Sequence, residues 1–465
     1  MKSLVDLAQG ITVDSREVKP GFIFVAIKGT LVDGHNYIDK AVANGAKIIV
    51  HQDIVNQLPG VTYLKVDDSR AALSQLAALF YPQQSKYILG VTGTSGKSSV
   101  VHFIREILHI LGKKAVSIGT LGVIGDVNIA SNLTTPATIE LHKILQEIAK
   151  NNVEYAAIEC SSHGIEQHRL DSVHFTACAF TNFSQDHLDY HHSMEAYLQA
   201  KMDLFKIMDQ GYVVLNSDIA EYQLLLEHCQ KYNHKIITYG KLAQDVKIKS
   251  IKTSGLKQQV EWEIYGQQYF SDFNLVGEFQ IYNLACALGL LMAADIDIKQ
   301  ILPLIAQIKT VPGRMELVAN YNEAGIFVDY SHKPEALSHS LQTIKKITKN
   351  KLTVVFGCGG ERDQIKRPIM GEIASKYADE VIITDDNPRG ENPVKIREAI
   401  IAGAVAPVIE IGDREEAIKY AISQLASGDN LLIAGKGHEN YQLVGDKAID
   451  FSDTEKVLSI VRNMS

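Results

Sequence analysis

GVTGTSGKSS, Gly90 to Ser99, joins the apolar run YILGV to a segment whose apolar positions Val101, Ile104, Leu108 and Leu111 recur at helical spacing, with Gly112 as a stop. This reads as a strand, a glycine-rich turn and a helix. Backbone amides and the positive end of such a helix can cradle phosphates, while Lys97 reaches the terminal phosphates and Ser98 offers a hydroxyl to Mg²⁺. Five residues rather than four separate Gly90 from Gly96, so the spacing is not the strict Walker pattern. An ordinary glycine-rich turn would not call for a lysine, a serine and both flanking elements together, so nucleotide binding is the reading adopted.

The alternation of strand and helix extends outward from this loop. YAAIE (Tyr155 to Glu159) and TACAF (Thr176 to Phe180) are nearly continuous apolar runs, as expected of parallel strands covered on both faces. Leu284 to Ala294, the longest apolar stretch, is too short for a bilayer and reads as a buried helix. After Pro312 the pattern restarts with LTVVFG, a helix over Pro368 to Ala378, EVIITDD, a helix over Asn392 to Ala404, PVIEIG, another helix and NLLIAGKG. Upstream, FIFVAI (Phe22 to Ile27), a helical stretch near Ile38 to Ala46 and KIIV form a smaller unit, and Pro82 to Ser85 read as a linker after the helical segment Ala71 to Tyr81.

The chain is therefore expected to be α/β throughout, in three domains. These are a small N-terminal α/β domain over 1–86, a central wound parallel sheet of the P-loop ATPase type over 87–310, and a Rossmann-like C-terminal domain over 311–465. A length of 465 residues agrees with roughly three domains of about 150 residues each.

Composition removes several function classes. The hydrophobic share of 46% and charged share of 22% are those of a folded globular chain. A net charge of -8 argues against a nucleic-acid partner, which would be met by clustered Lys and Arg. Five cysteines without close pairing suggest neither a disulfide framework nor structural zinc, so a reducing compartment, the cytoplasm, is expected. The N-terminal MKSLVDLAQG does not read as a secretory signal, and no membrane insertion is expected.

Two further clusters lie where apolar strands end, the place where wound sheets put their ligands. IECSSHGIEQHRL (Ile158 to Leu170) presents Glu159 as a candidate metal ligand, with His163 and His168 as ordinary hydrogen-bonding groups. TNFSQDHLDYHHSMEAYLQAK (Thr181 to Lys201) adds His187, Asp186, Asp189 and Lys201. One Glu, one Ser and one His suit a hard cation that shares its ligands with phosphate oxygens better than they suit a closed zinc shell, so Mg²⁺ with ATP is the better reading.

In this order, GTSGKS, ECSSHG-x-x-QHR, TN-x-S-x-DHLDYH and AK resemble the Mur ligase family, in particular its members that extend UDP-N-acetylmuramoyl dipeptide. The resemblance runs nearly end to end. It takes in DSR at Asp14, LTTP at Leu133, PGRME at Pro312, DYSHKP at Asp329, GCGGERDQIKRPIM at Gly357, DDNPRGENP at Asp385 and AGKGHENYQ at Ala434. The chain departs from the family's usual pattern at Ser95 and Ser98 in the loop, at Gln280 and at Ser331, and none of these removes a charged participant.

The resemblance implies roles for particular residues. Gly93, Thr94, Ser95, Gly96, Lys97 and Ser98 would hold ATP, with Asn283 near the adenine and Arg314 and Asp329 contributed from the third domain. Ser98, Glu159, His187 and Lys201, the last as N6-carboxylysine, would hold Mg²⁺, and a carbamate turns a cation into an oxygen ligand. Ser15, Thr30, Thr134, Thr135, Ser161, Gln167 and Arg169 would bind the UDP-MurNAc-dipeptide. Arg362, Asp386, Asn387, Pro388, Arg389, Gly435 and Glu439 would bind the incoming amino acid.

Arg389 offers a fork for the distal carboxylate of meso-diaminopimelate, which lysine lacks, and Glu439 is placed to accept the distal ammonium. Lys97, Lys201, His187 and, in a supporting role, His332 are the catalytic candidates. The implied reaction is ADP-forming amide synthesis through an acyl phosphate, by a monomer in the cytoplasm, serving peptidoglycan synthesis and through it cell shape and division. A lysine-adding or folylpolyglutamate-type ligase, and a P-loop switch with incidental turnover, are the competing readings.

Overall fold

The computed structural model describes residues 1–29, 32–131, 133–255 and 257–464. The chain divides into two compact units. One is Met1–Ile251 with Val260–Ser271 and Ile281–Ile308; the other is Lys252–Gln259 with Asp272–Gln280 and Lys309–Ser465.

The first unit opens with a parallel sheet of four strands, Gly10–Thr12, Phe22–Val25, Ile48–His51 and Thr62–Lys65, in chain order. Ile23, Val25 and Val50 bury one face under the helix Ser69–Phe80, and Phe24 and Ile49 bury the other. That helix starts where the Asp68 carboxylate accepts from the amides of Arg70 and Ala71 at 2.7 and 3.0 Å, two donors a helix start leaves unpaired. The stretch after it, read as a linker, is tied down. Ser85 Oγ donates to Val153 O at 2.8 Å, and Gln84 donates to Ser172 O at 2.9 Å.

The larger sheet has ten strands. Its order is Gln267–Phe273, Lys257–Ile264, Val246–Ser254, Lys235–Gly240, Tyr212–Asn216, Ala177–Phe180, Tyr87–Thr92, Tyr155–Glu159, Ala115–Gly119 and Gly122–Gly125. Tyr87–Thr92 lies between Tyr155–Glu159 and Ala177–Phe180, parallel to both, and both neighbours are buried along their whole length, as their unbroken apolar runs require. The helix Glu278–Ala293 contains the long apolar stretch, with Leu284, Leu288 and Leu291 fully buried. Among the described residues no helix is long and apolar enough to cross a membrane.

The second unit carries a six-stranded sheet in the order Glu316–Tyr321, Ala324–Asp329, Asn430–Ala434, Leu352–Phe356, Glu380–Ile383 and Ile409–Glu410. All neighbours are parallel except the first pair, a hairpin. Phe356, Leu432 and Met370 fill the core on one face, and Val355, Ile433 and Ile418 fill it on the other. The carboxyl ends of three adjacent strands, at Asp329, Ala434 and Phe356, are in register, so the loops that follow them open at one edge of the sheet.

Candidate active site

The glycine-rich turn follows the strand Tyr87–Thr92, and the helix Lys97–Ile110 begins immediately after Gly96. Gly93 and Gly96 have φ of 135° and 87°, the left-handed region glycine reaches without strain. Space enforces the same choice, because a Cβ at Gly93 would overlap Thr181 Oγ1 and one at Gly96 would overlap Asn283 Oδ1. Lys97 Nζ donates to Gly93 O and Thr94 O, each at 2.8 Å, which folds it over the loop. Thr94 and Ser95 are laced to the neighbouring strand end: Ser95 N donates to Asn182 Oδ1 at 2.8 Å and Ser184 N to Thr94 Oγ1 at 3.1 Å.

Glu159, 2% exposed, ends the adjacent strand. Its Oε2 accepts from Ser98 Oγ at 2.9 Å and its Oε1 from Thr120 N at 3.0 Å, so a carboxylate and a hydroxyl meet beside the loop, both hard oxygen donors. Lys201 is 1% exposed in the helix Met194–Ile207, and its Nζ donates to the same Gly93 carbonyl at 2.8 Å while lying 4.3 Å from the Tyr197 ring centroid. Among the described residues no carboxylate lies within ion-pair distance of Lys201. Burial, together with the nearby Lys97 ammonium, holds its amine well below the ordinary lysine range. A neutral amine is the form that can add CO₂. His187 is exposed at φ 52°, edge-on to His163 at 5.0 Å and to Tyr197 at 6.1 Å between ring centroids. Ser98 and Glu159 thus meet beside the loop, Lys201 reaches its Gly93 carbonyl, and His187 lies against Tyr197, which packs on Lys201; the hydroxyl, carboxylate and imidazole are donors that suit a magnesium ion.

Thr135, Ser161, Gln167 and Arg169, expected to hold the nucleotide-sugar peptide, form a second network that reaches the Glu159 carbonyl. Thr135 Oγ1 donates to Glu159 O at 2.7 Å and meets Ser161 Oγ at 3.0 Å, and Thr134 Oγ1 meets Thr120 Oγ1 at 3.2 Å. Arg169 donates to Thr135 O at 2.6 Å and to Gln167 Oε1 at 2.7 Å. Ser15 is buried in the small parallel sheet's unit, its carbonyl accepting from Asn44 at 2.8 Å. Thr30 lies outside the described residues.

In the second unit, Asp329 accepts from Met315 N at 2.9 Å and Ser340 Oγ at 2.6 Å, and also from Ser331 Oγ, so its carboxylate braces the strand end. The Arg314 guanidinium lies 4.6 Å from the Tyr330 ring centroid. His332 Nδ1 contacts Tyr330 O at 2.9 Å, and burial keeps its imidazole below the usual range.

Asp386 and Asn387 are buried after the strand Glu380–Ile383. Asn387 Nδ2 donates to Glu439 Oε2 at 2.9 Å, and Gly435, φ 116°, leads from the strand Asn430–Ala434 into the loop that carries Glu439. Burial raises the Glu439 carboxyl above the usual range against the pull of Asn387 and Lys436. Arg389 has φ 51° and is held by its own backbone, its N donating to Leu443 O at 3.0 Å and its O accepting from Gly445 N at 2.7 Å; its guanidinium reaches Gly360 O at 2.8 Å. Pro388 is buried beside it, and Arg362 is exposed on the loop after Gly360.

Comparison with known proteins places this geometry. Three family models match in chain order: Mur ligase family, catalytic domain, over residues 8–81; Mur ligase middle domain over 91–291; and Mur ligase, glutamate ligase domain, over 313–437. The chain belongs to the Mur ligase family. A UDP-N-acetylmuramoyl-L-alanyl-D-glutamate--2,6-diaminopimelate ligase of Rickettsia conorii is 43% identical over 465 residues, 98% of this chain and 96% of its own. One of Mesorhizobium japonicum is 42% identical over 459 residues, 97% of this chain and 94% of its own. A solved structure bearing the same enzyme name superposes with a TM-score of 0.75 at 31% identity, covering 98% of this chain and 95% of its own.

Within this Mur ligase the sequence reading passed over three groups. Lys436, fully buried, sits among Asp386, Asn387 and Glu439. Arg367 makes a two-pronged bond to Glu391 at 2.6 and 2.8 Å and also donates to Gly359 O, bracing the loop that Arg389 touches. His191 is buried against Ser162 Oγ at 2.9 Å behind His163. A lysine between two glycines at a strand end, three residues before Glu439, was a visible signal for Lys436; its partners Asp386 and Asn387, 50 and 49 positions away, were not.

Proposed function

We propose that this Mur ligase is an ATP-dependent amide ligase that adds meso-diaminopimelate to UDP-N-acetylmuramoyl-L-Ala-D-Glu, a cytoplasmic step of peptidoglycan precursor synthesis carried out by a monomer. The observation that carries this reading is the turn after Ile383, where Asn387 donates to the Glu439 carboxylate and Arg389, two residues on, carries a fork held at Gly360 O. A positive fork and a negative acceptor suit the distal carboxylate and ammonium of one zwitterion.

In this reading the dipeptide's terminal carboxylate oxygen bonds to the γ-phosphorus of ATP as ADP leaves. The neutral amine of diaminopimelate then bonds to the acyl carbon, phosphate departs and the nitrogen loses a proton. Lys97 and the amides of Gly93, Thr94, Ser95 and Gly96 neutralise and orient the phosphates, with Asn283 toward the adenine and Arg314, Asp329 and His332 supporting the nucleotide and intermediate. Ser98, Glu159, His187 and Lys201 as its carbamate would hold Mg²⁺, which supplies charge neutralisation at the phosphoryl oxygens. Ser15, Thr134, Thr135, Ser161, Gln167 and Arg169 position the dipeptide carrier, and Arg362, Asp386, Pro388 and Gly435 shape the amino-acid pocket. The domain limits 1–86, 87–310 and 311–465 follow this division of labour.

The test is phosphate release from Mg-ATP with the UDP-MurNAc-dipeptide and meso-diaminopimelate, L-lysine or no amino acid, with product mass determined. Tripeptide formed only with diaminopimelate is expected. Preference for lysine overturns the specificity, and release indifferent to both co-substrates overturns the ligase reaction.

A further inference from the structure

Lys436 has no access to solvent, so it cannot touch a substrate, yet among the described residues it is the one cation in contact with both Asp386 and Glu439. Its Nζ lies 3.0 Å from Asn387 Oδ1, 3.4 Å from Asp386 Oδ1 and 3.5 Å from Glu439 Oε2. An ammonium can only donate, so Asn387 must turn its oxygen toward Lys436, and Leu443 N, donating to that oxygen at 2.9 Å, fixes the same choice. The Asn387 NH₂ is thereby aimed at Glu439 Oε2, while Glu439 Oε1 accepts no hydrogen bond among the described residues.

We infer that Lys436 is the positioning residue of the amino-acid pocket, setting the Asn387 amide and keeping Glu439 ionised with one oxygen open to the substrate's ammonium. This rests on the diaminopimelate reading above. Asp386 and Glu439 carry two negative charges and Lys436 one positive, leaving one surplus negative charge for one incoming ammonium. Arg414, Tyr330 and Tyr441 also act on Glu439, with Arg389 beside Tyr441. None of these replaces a cation in contact with both carboxylates. Without Lys436, the half-buried Glu439 carboxylate stands beside Asp386 with no cation in contact and takes up a proton, most readily at low pH.

The test compares wild type, K436M and K436R in KM and kcat for meso-diaminopimelate and in KM for ATP. The ratio of the K436M to the wild-type KM for diaminopimelate is expected to be on the order of tenfold larger at about pH 6.5 than at about pH 9. The kcat ratio and the KM for ATP should not follow pH in this way, and K436R, which keeps the charge, should track wild type. A KM ratio equal at both pH values, or a K436R that behaves as K436M, overturns the role. If K436M does not fold, K436Q, which keeps a donor to Asn387 without the charge, takes its place with the same expectation. A wild type that makes no amide from diaminopimelate overturns instead the substrate reading, and this role with it.

Discussion

At the scale of single residues, burial lowers the pKa of two bases, Lys201 and His142. Lys201 is desolvated beside Lys97, and among the described residues no carboxylate lies within ion-pair distance of it, a cost that the proposed carbamate role accounts for. Lys201→Ala is expected to lower ligase activity at least about 10²-fold, and ¹³C NMR of protein in labelled bicarbonate should show a carbamate resonance that the variant lacks. An unmodified but fully active wild type would remove Lys201 from the metal site. His142 has no such purpose. It is fully buried in the helix Thr138–Lys150, neither ring nitrogen finds a partner among the described residues, and burial drops its pKa from 6.5 to about 4. Because the folded value is depressed, the unfolded chain gains a proton first as pH falls, so stability is intact above about 6.5 and is lost toward about 4. Between pH 7 and 5 the parent should lose about 2 kcal/mol more unfolding free energy than His142→Leu in urea titrations.

At the scale of elements, the phosphate loop shows how tightly the backbone is chosen. Gly96→Ala forces a side chain into the left-handed region and into Asn283 Oδ1, so nucleotide affinity measured by calorimetry should fall at least about tenfold, with about 1–3 kcal/mol of stability lost. Unchanged affinity would mean that the loop does not hold the phosphates. This element was legible in the sequence because its determinants are local: a strand, a turn and a helix within about twenty residues. The fully buried strands Tyr155–Glu159 and Ala177–Phe180 were legible for the same reason. The strands Val246–Ser254, Lys257–Ile264 and Gln267–Phe273 went unread, because they are half-exposed and alternate polar with apolar residues, a weak signal beside a continuous run. The helix read as Ala71 to Tyr81 begins two residues earlier, at Ser69, because Asp68 caps it. In the site, residues inside contiguous motifs were found. Lys436 was passed over because its meaning depends on Asp386 and Asn387, which only folding brings to it.

At the scale of the whole molecule, the question is which amino acid the ligase accepts. The Arg389 backbone is pinned by Leu443 O and Gly445 N, so removing the side chain leaves the turn intact and isolates the guanidinium. A charge-assisted two-pronged bond to a carboxylate contributes about 2–3 kcal/mol, so Arg389→Ala should lower kcat/KM for meso-diaminopimelate on the order of 10²-fold. Lysine has no distal carboxylate to lose, and its low rate should stay where it is. The ratio of the two products in a competition assay, read by mass, should therefore collapse toward unity while the melting temperature holds. If both substrates fell together, Arg389 would be supporting the Gly360 loop through its bond to that carbonyl, and the discriminating charge would have to lie elsewhere in the pocket.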